Sequence, residues 1–357
     1  MASTKRVFVS DIHMSAGRSV SAGRYAYDWL DATKARAFAA FLKDLRARDD
    51  VREVVVLGDL FDLWVCPVDE VPITIREIVR AKKNAVVVRE FNALAEAKPV
   101  VYLPGNHDMQ VTKADLAEYF PRVIFGGAGV FDSVFRSGRL RAEHGSAHAM
   151  FNAPDPYNGG GARLPLGYYI SRVAATKANR TGHEVRFTTK YLDDLLETLG
   201  PQTLPASVFE AVLEDAGLDK RTGILMGSLP TVSITAQQVM DRYAKLYEQW
   251  QTHRGPGLAF KAILAELGYL DDVADRLCKK GGTNVVIFGH SHEAEIDKDS
   301  WFVDDRVYAN CGTWCGATGG TFVETEKVDG LQFVRVRKWV DGTVTTMHEE
   351  HVAAGAA

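Results

Sequence analysis

Four times along this chain a short apolar run stops abruptly and hands over to acidic, amide and imidazole side chains. Val100–Leu103 leads through Pro104-Gly105 to Asn106, His107 and Asp108; Arg6–Ser10 leads to Asp11 and His13; Val54–Leu57 leads through Gly58 to Asp59 and Asp62; Asn284–Phe288 leads through Gly289 to His290 and His292. Runs of this length, bounded by Gly and Pro, are the pattern of buried strands. Open α/β sheets bind ligands beyond the carboxyl ends of their strands, so the pattern predicts one site assembled from distant stretches of sequence. A fifth run, Leu140–Glu143, ends in His144-Gly145 and adds another polar tip.

Helical periodicity fills the gaps between these strands. From about Tyr27 to Arg48, the residues Phe38, Phe41, Leu42 and Leu45 fall on one helical stripe, and a second helix spans about 77 to 97. Strand, helix, strand alternation predicts an α/β fold with parallel βαβ units. A polar helix near Lys113–Tyr119 follows, then Arg122–Phe125 and a strand pair, Val130–Phe135 with Leu140–Glu143.

Residues 146–282 break the alternation and read as a largely helical cap inserted into a core made of 1–145 and 283–350. Thr189–Leu199 places four leucines on one face, and Thr235 with Gln238 forms a capping box ahead of the stripe Val239, Tyr243, Leu246, Tyr247 and Trp250, which reads as cap packing. Beyond His292, short strands (Trp301–Val303, Arg306–Ala309, Gly320–Glu324, Leu331–Lys338, Thr343–His348) predict a second, antiparallel or mixed sheet, and residues 351–357 a disordered tail.

Composition narrows the function. With 357 residues, 46% hydrophobic content and a net charge of -4, the chain is an ordinary globular protein without a basic excess for bulk nucleic acid. The start carries no secretory pattern and no run reaches membrane-spanning length, which predicts a cytoplasmic protein. Cys66, Cys278, Cys311 and Cys315 are too scattered for a disulfide framework and read as reduced structural thiols.

Collected, the strand tips offer Asp11, His13, Asp59, Asn106, His144, His290 and His292. Imidazoles mixed with carboxylates and an amide oxygen suit Mn, Fe or Zn rather than the all-oxygen cage of Ca or Mg. Seven ligands exceed what one ion needs, whereas two ions sharing one carboxylate would keep open positions for water and substrate, as a two-metal hydrolytic site requires.

In these fragments the chain resembles the calcineurin-like metallophosphoesterases, whose Asp-x-His, Gly-Asp-x-x-Asp, Gly-Asn-His-Asp/Glu, lone His-Gly and Gly-His-x-His motifs are met by Asp11/His13, Gly58/Asp59/Asp62, Gly105–Asp108, His144/Gly145 and Gly289–His292. The resemblance covers residues 6–145 and 284 to about 315. It implies a sandwich of two mixed sheets flanked by helices. It also implies a first metal, most often Mn with Fe or Zn as alternatives, on Asp11, His13 and His292, a second on Asn106, His144 and His290, and Asp59 bridging both. A bridging hydroxide would then attack phosphorus in a phosphodiester or pyrophosphate. His107 would stabilise the phosphoryl oxygens or protonate the leaving group, with Asp108 orienting His107 and Asp62 fixing a ligand by a hydrogen bond.

The stretch Gly58–Trp64 looks most like the UDP-2,3-diacylglucosamine pyrophosphatase branch, which commonly carries Arg where His107 stands here. The expected partner is a small phosphorylated substrate, nucleotide- or lipid-linked. Arg163, Arg172, Lys177, Arg180, Arg186 and Lys190 are candidate substrate-phosphate contacts in the cap, Arg172 and Arg180 foremost, while His148 reads as a surface or core histidine. The same site could serve a phosphomonoesterase or a nuclease. A non-catalytic binding scaffold is the reading from another class, and its expected feature is a missing ligand.

Overall fold

The computed structural model describes residues 4–16, 28–127, 133–157, 164–182, 204–227, 233–265, 269–299, 305–316 and 319–354. Two mixed sheets lie face to face with helices outside them. The first has the order β14-β13-β12-β1-β2-β3-β4. Here β1 (Lys5–Val9), β2 (Val51–Leu57), β3 (Val100–Leu103) and β4 (Ile124–Phe125) run parallel. To these, β12 (Gly320–Val328), β13 (Leu331–Val340) and β14 (Thr343–Ala353) add antiparallel. The second sheet has the order β10-β11-β9-β6-β5, from β5 (Phe135–Ser137), β6 (Leu140–Ala142), β9 (Val285–Phe288), β10 (Ala294–Asp299) and β11 (Arg306–Cys311).

Side-chain alternation builds the layers. Phe8, Val55, Leu57 and Leu103 point inward and meet Leu140, Ala142, Val285 and Ile287 of the second sheet. Val7, Val9, Val54 and Val56 point the other way, against Phe38, Phe41, Leu42 and Leu45 of α1 (Ala32–Ala47) and Phe91 and Leu94 of α3 (Ala85–Ala97). The apolar stripe of α1 is the expected one, but the helix begins at Ala32 and not near Tyr27. Asp31 is its N-cap, with an extended backbone and a side chain that accepts from the N–H groups of Thr33 and Lys34. The second expected helix divides into α2 (Ile75–Arg80), a single 3-10 turn and α3. The break falls at buried Asn84, whose amide donates to the carbonyls of Ile78 and Ser15 and so ties this segment to the loop after the first strand tip.

The expected polar helix is α4 (Lys113–Tyr119). Of the strand pair, residues 130–132 lie outside the described residues, as do the Thr189–Leu199 helix and the Trp301–Val303 strand. The last three strands were expected in the second sheet, yet they extend the first. The link is the antiparallel ladder of β12 on β1, where Glu324 is fully buried within ion-pair reach of Lys5, Arg48, Arg335 and Arg337. The tail is also shorter than expected, because Val352 is 1% exposed, pairs with Gln332 and packs between the sheets.

Between β6 and β9 come α5 (Leu166–Thr181), α6 (Leu204–Asp215), the hairpin β7 (Gly223–Leu225) and β8 (Ser233–Thr235), α7 (Ala236–Arg254), α8 (Pro256–Leu264) and α9 (Asp271–Lys279). The Thr235–Gln238 capping box starts α7, and its aromatic stripe is buried, with Tyr243 edge-on to Tyr169, which in turn meets Phe209. The last helix departs from the insertion: Val273, Ala274 and Cys278 of α9 pack on Val286, Phe288 and Tyr308, so α9 covers the outer face of the second sheet.

Candidate metal centre

Local backbone strain marks the place where the strand tips converge. Among the described non-glycine residues, seven have positive φ, and five of these are Asp11, His13, Asp59, His290 and His292. The other two, Asp329 and Asp341, precede glycines in hairpin turns. Left-handed backbone costs about 1 kcal/mol or more for a residue with a Cβ, and such strain persists only where the surroundings enforce it. Glycine is required at two neighbouring points. A Cβ on Gly58, at φ +83, would come within 2.5 Å of the Gly105 backbone, and one on Gly105 within 2.3 Å of Asp59 Oδ1.

The enforcement comes from hydrogen bonds between motifs. Asp59 Oδ1 accepts from the His107 N–H at 2.9 Å, and Asp11 Oδ2 accepts from the His290 N–H at 2.9 Å and from the Ser10 hydroxyl. Asp108 accepts from the N–H groups of Gly105 (2.6 Å), Leu60 (2.9 Å), Asp59 (3.2 Å) and Phe61 (3.3 Å). That carboxylate therefore clamps two loops and does not orient His107, contrary to expectation. The orienting group is Asp62, whose Oδ1 lies 3.0 Å from His107 Nδ1 while its Oδ2 faces His13 Nδ1 at 3.5 Å.

The expected ligands come together. His292 Nε2 lies 3.2 Å from Asp11 Oδ1 and 3.1 Å from His13 Nε2. His144 Nε2 lies 2.9 Å from Asn106 Oδ1 and 3.3 Å from Asp59 Oδ2, and that same Asp59 oxygen is 3.6 Å from His13 Nε2. Asp59 Oδ2 thus stands between two groups of donors. His144 Nδ1 donates to the Leu57 carbonyl at 2.7 Å, which fixes the ring so that Nε2 faces the cluster. The His290 ring lies 5.2 Å from that of His144.

The donor set fits divalent cations. Asp11, His13 and His292 form one group with ligand atoms close enough to share an ion, Asp11, Asp59 and His144 another, and His13, Asp59 and His107 a third. Asp11 Oδ1 and Asp62 Oδ2 are buried without a hydrogen-bond partner. A buried, unpaired carboxylate oxygen is costly unless a cation faces it. Without a metal, imidazolium takes that role. Burial opposes a charge on His144, yet the carboxylates of Asp59 and Asp11 outweigh it and push the imidazole up to about 9. Burial and the charge of His144 push His290 down to about 3. Burial, joined by the charge of Asp59, pushes Asp108 up to about 6.

Three aromatic and amide neighbours touch the site without a role assigned to them from sequence, although Trp64 closes the Gly58–Trp64 stretch. Trp64 stacks on His107 with ring centroids 4.2 Å apart, Trp29 lies 5.4 Å from the His13 ring and 5.3 Å from that of His292, and Asn152 Oδ1 accepts from Asn106 Nδ2 at 3.1 Å. No spacing rule flags them, because each meets the site only in three dimensions. Two of them link the insertion to the site: Asn152 directly, and Trp64 through Gly167, where a Cβ would lie 3.2 Å from the indole.

Arg172, expected at a substrate phosphate, is instead enclosed by the protein. It is 0% exposed, and its guanidinium donates to the carbonyls of Cys66, Pro67, Glu70 and Leu225 and to the Tyr168 hydroxyl. Arg180 sits about two turns further along α5 and faces the carbonyls of Ala216 and Gly217 beyond the end of α6. Lys177 pairs with Asp215, and Arg163, Arg186 and Lys190 lie outside the described residues. His148 pairs with Glu143 at 3.2 Å. All four cysteines are free and buried, and burial pushes Cys278 and Cys315 up to about 11. Among the described residues, no helix is long and apolar enough to cross a membrane.

A family model described as calcineurin-like phosphoesterase matches residues 4–294. No curated protein matches the chain. Solved structures similar in fold include vacuolar protein sorting 29 from Cryptosporidium parvum (11% identity, TM-score 0.34, 98% of each chain covered). GAP50 of Plasmodium is similar at 10% identity and TM-score 0.38, covering 98% of this chain and 88% of that one. A predicted phosphoesterase from Streptococcus pneumoniae is similar at 10% identity and TM-score 0.30, covering 99% of each chain. With TM-scores this low, none of the three adds weight beyond the family match.

Proposed function

Because this chain belongs to the calcineurin-like phosphoesterase family, we propose that it is a dimetal hydrolase of phosphodiester or pyrophosphate bonds. The observation that carries this reading is the position of Asp59 Oδ2, 3.3 Å from His144 Nε2 and 3.6 Å from His13 Nε2, between two donor groups. Asp11, His13 and His292 would hold one cation, Asn106, His144 and His290 the other, and Asp59 both. When bound, the cations supply Lewis acidity toward a phosphoryl oxygen and make a water acidic enough to act as nucleophile at neutral pH. A mixed nitrogen and oxygen set suits Mn, Fe or Zn, and of these we propose Mn.

The remaining steps belong to the chain itself. His107 is 14% exposed through its side chain and so can meet substrate. With Nδ1 turned to Asp62, its Nε2 is the atom that gives a proton to the leaving oxygen. Trp64 covers one face of that imidazole and keeps water from it. Asn152 and Gly167 bring the insertion against Asn106 and Trp64, which favours substrates with a second group beyond the scissile bond. His107 stands where the lipid-precursor pyrophosphatases resembled by Gly58–Trp64 commonly have Arg, which favours another diester or pyrophosphate.

The test is reconstitution with Mn, Fe or Zn, followed by turnover of bis(4-nitrophenyl) phosphate and 4-nitrophenyl phosphate. Faster hydrolysis of the diester, greatest with Mn, is expected. No turnover with any of the three metals would sink the hydrolase reading, and preference for the monoester would sink the substrate reading.

A further inference from the structure

Outside the strand-tip cluster, a cleft of about 260 Å³ opens between α7, α8 and α9, lined by His148, Arg254, Leu258, Ala262, Val273, Arg276, Leu277 and Lys280. Its walls combine two kinds of chemistry. Leu258, Ala262, Val273 and Leu277 make an apolar floor, and Leu258 is half-exposed there. Around it stand cations from two helices, Arg254 at the end of α7 and Arg276 with Lys280 at the end of α9. Among the described residues, Arg254, Arg276 and Lys280 have no carboxylate at ion-pair distance, in a chain whose net charge is -4.

The bland account is that cations near helix ends complement the helix dipole, and Arg254 also lies over the Trp250 ring at 3.9 Å. Neither contact gives the guanidinium N–H groups an acceptor. Arg276 is the sharper case: its Nη1 is buried and has no hydrogen-bond partner. The nearby acids are already engaged, Asp272 by Lys261 at 2.7 Å and Glu143 by Arg141 at 2.9 Å as well as by His148. A buried unpaired donor of a charged group is costly, and a bound anion would relieve it.

We propose that this cleft binds a dianionic phosphate or phosphonate group carried on an apolar body, with Arg276, Arg254 and Lys280 on the anion and the leucines on the body. The site is separate from the metal centre and does not depend on hydrolysis there.

Alkylphosphonates are suitable probes, because no P–O–C bond is present to cleave. Titration calorimetry of metal-loaded protein with hexylphosphonate should show two classes of site, one lost in Asp59→Asn and the other weakened at least about tenfold in the double variant Arg276→Gln/Lys280→Gln. Methylphosphonate should bind the cleft about tenfold or more weakly than the hexyl compound, since it lacks the chain that reaches the floor. An unfolding temperature within about 2 °C of the parent would show the double variant folded. Identical hexylphosphonate binding by parent and double variant overturns the site, and equal affinity for the two phosphonates overturns the apolar half of the assignment. Binding to vesicles of anionic phospholipid without binding to the monomeric probe overturns it in favour of a membrane surface. A missing metal-centre class with the cleft class intact would count against the hydrolase reading alone.

Discussion

Two buried polar assemblies draw on the same loop after β2, one through Asp62 and the other through Cys66 and Pro67, and they are built on opposite terms. Around Arg172, every donor has an acceptor: four carbonyls and a tyrosine hydroxyl surround a guanidinium that water never reaches. Around Asp59, the backbone is left-handed at five residues, and carboxylate oxygens of Asp11 and Asp62 are buried without partners. The first assembly joins α5 to the loop after β2. The second leaves polarity unsatisfied in a place where a cation would satisfy it. Burial alone therefore does not separate scaffold from site; the balance of donors and acceptors does.

Breaking the second assembly should have the larger consequence. Asp59→Asn is expected to reduce hydrolysis by at least about 10⁴-fold and to lower metal content by elemental analysis, because an amide cannot neutralise two cations. Near-normal turnover with two metals per chain would dismiss Asp59 as the bridge. His107→Ala should keep its metals and slow turnover by about 10²- to 10⁴-fold, less for leaving groups as good as nitrophenolate. Because His107 also lies in ligand range of His13 and Asp59, loss of metal in that variant would make it a ligand.

The first assembly should answer in stability. Arg172→Leu leaves several buried carbonyls without a donor, and a loss of about 3–5 kcal/mol in chemical denaturation is expected, with KM for a minimal aryl diester unchanged in the folded fraction. A raised KM at full stability would return Arg172 to the substrate. Acidity separates the two assemblies further. His144 has its folded pKa raised to about 9, so its contribution to the metal-free protein is complete below about 6.5 and lost as pH rises through 9. The melting temperature of metal-free protein should fall across that window, while metal-loaded protein, whose imidazole is already deprotonated, should not follow it. The smallest effect belongs to Arg180→Gln, within about 0.5 kcal/mol of the parent and silent in KM.

The strand tips were legible because each motif carries its own reason to stop: glycine for close approach, then a donor at the end of a buried run. Asp59, His144 and their companions could be named without any knowledge of which strands are neighbours. Partnerships across the fold were not legible. Asp62 rather than Asp108 faces His107, and nothing in Gly105–Asp108 distinguishes a carboxylate that clamps backbone from one that orients a ring. A signal for Arg172 did exist. Tyr168, Arg172 and Thr176 stand four apart on a helix whose other buried residues are apolar or aromatic, and Thr176 accepts from the Val68 N–H, so the line is a polar seam facing the loop after β2. The allocation of β12–β14 to the first sheet goes through the ladder of β12 on β1, where Glu324 meets cations from β1, α1's end and β13, a partnership across more than 270 residues of chain.

The left-handed backbone at Asp11, His13, Asp59, His290 and His292 also restricts how this protein can drift over generations. Few side chains tolerate that conformation; glycine does so freely, and asparagine, aspartate and histidine more readily than the rest. Lineages that abandon the chemistry would therefore tend to accept Asn or Gly at these positions, keeping the chain path while losing the charge. Their sequences would look conservatively substituted and their folds intact, and the trace of a lost reaction would be one amide in place of one carboxylate.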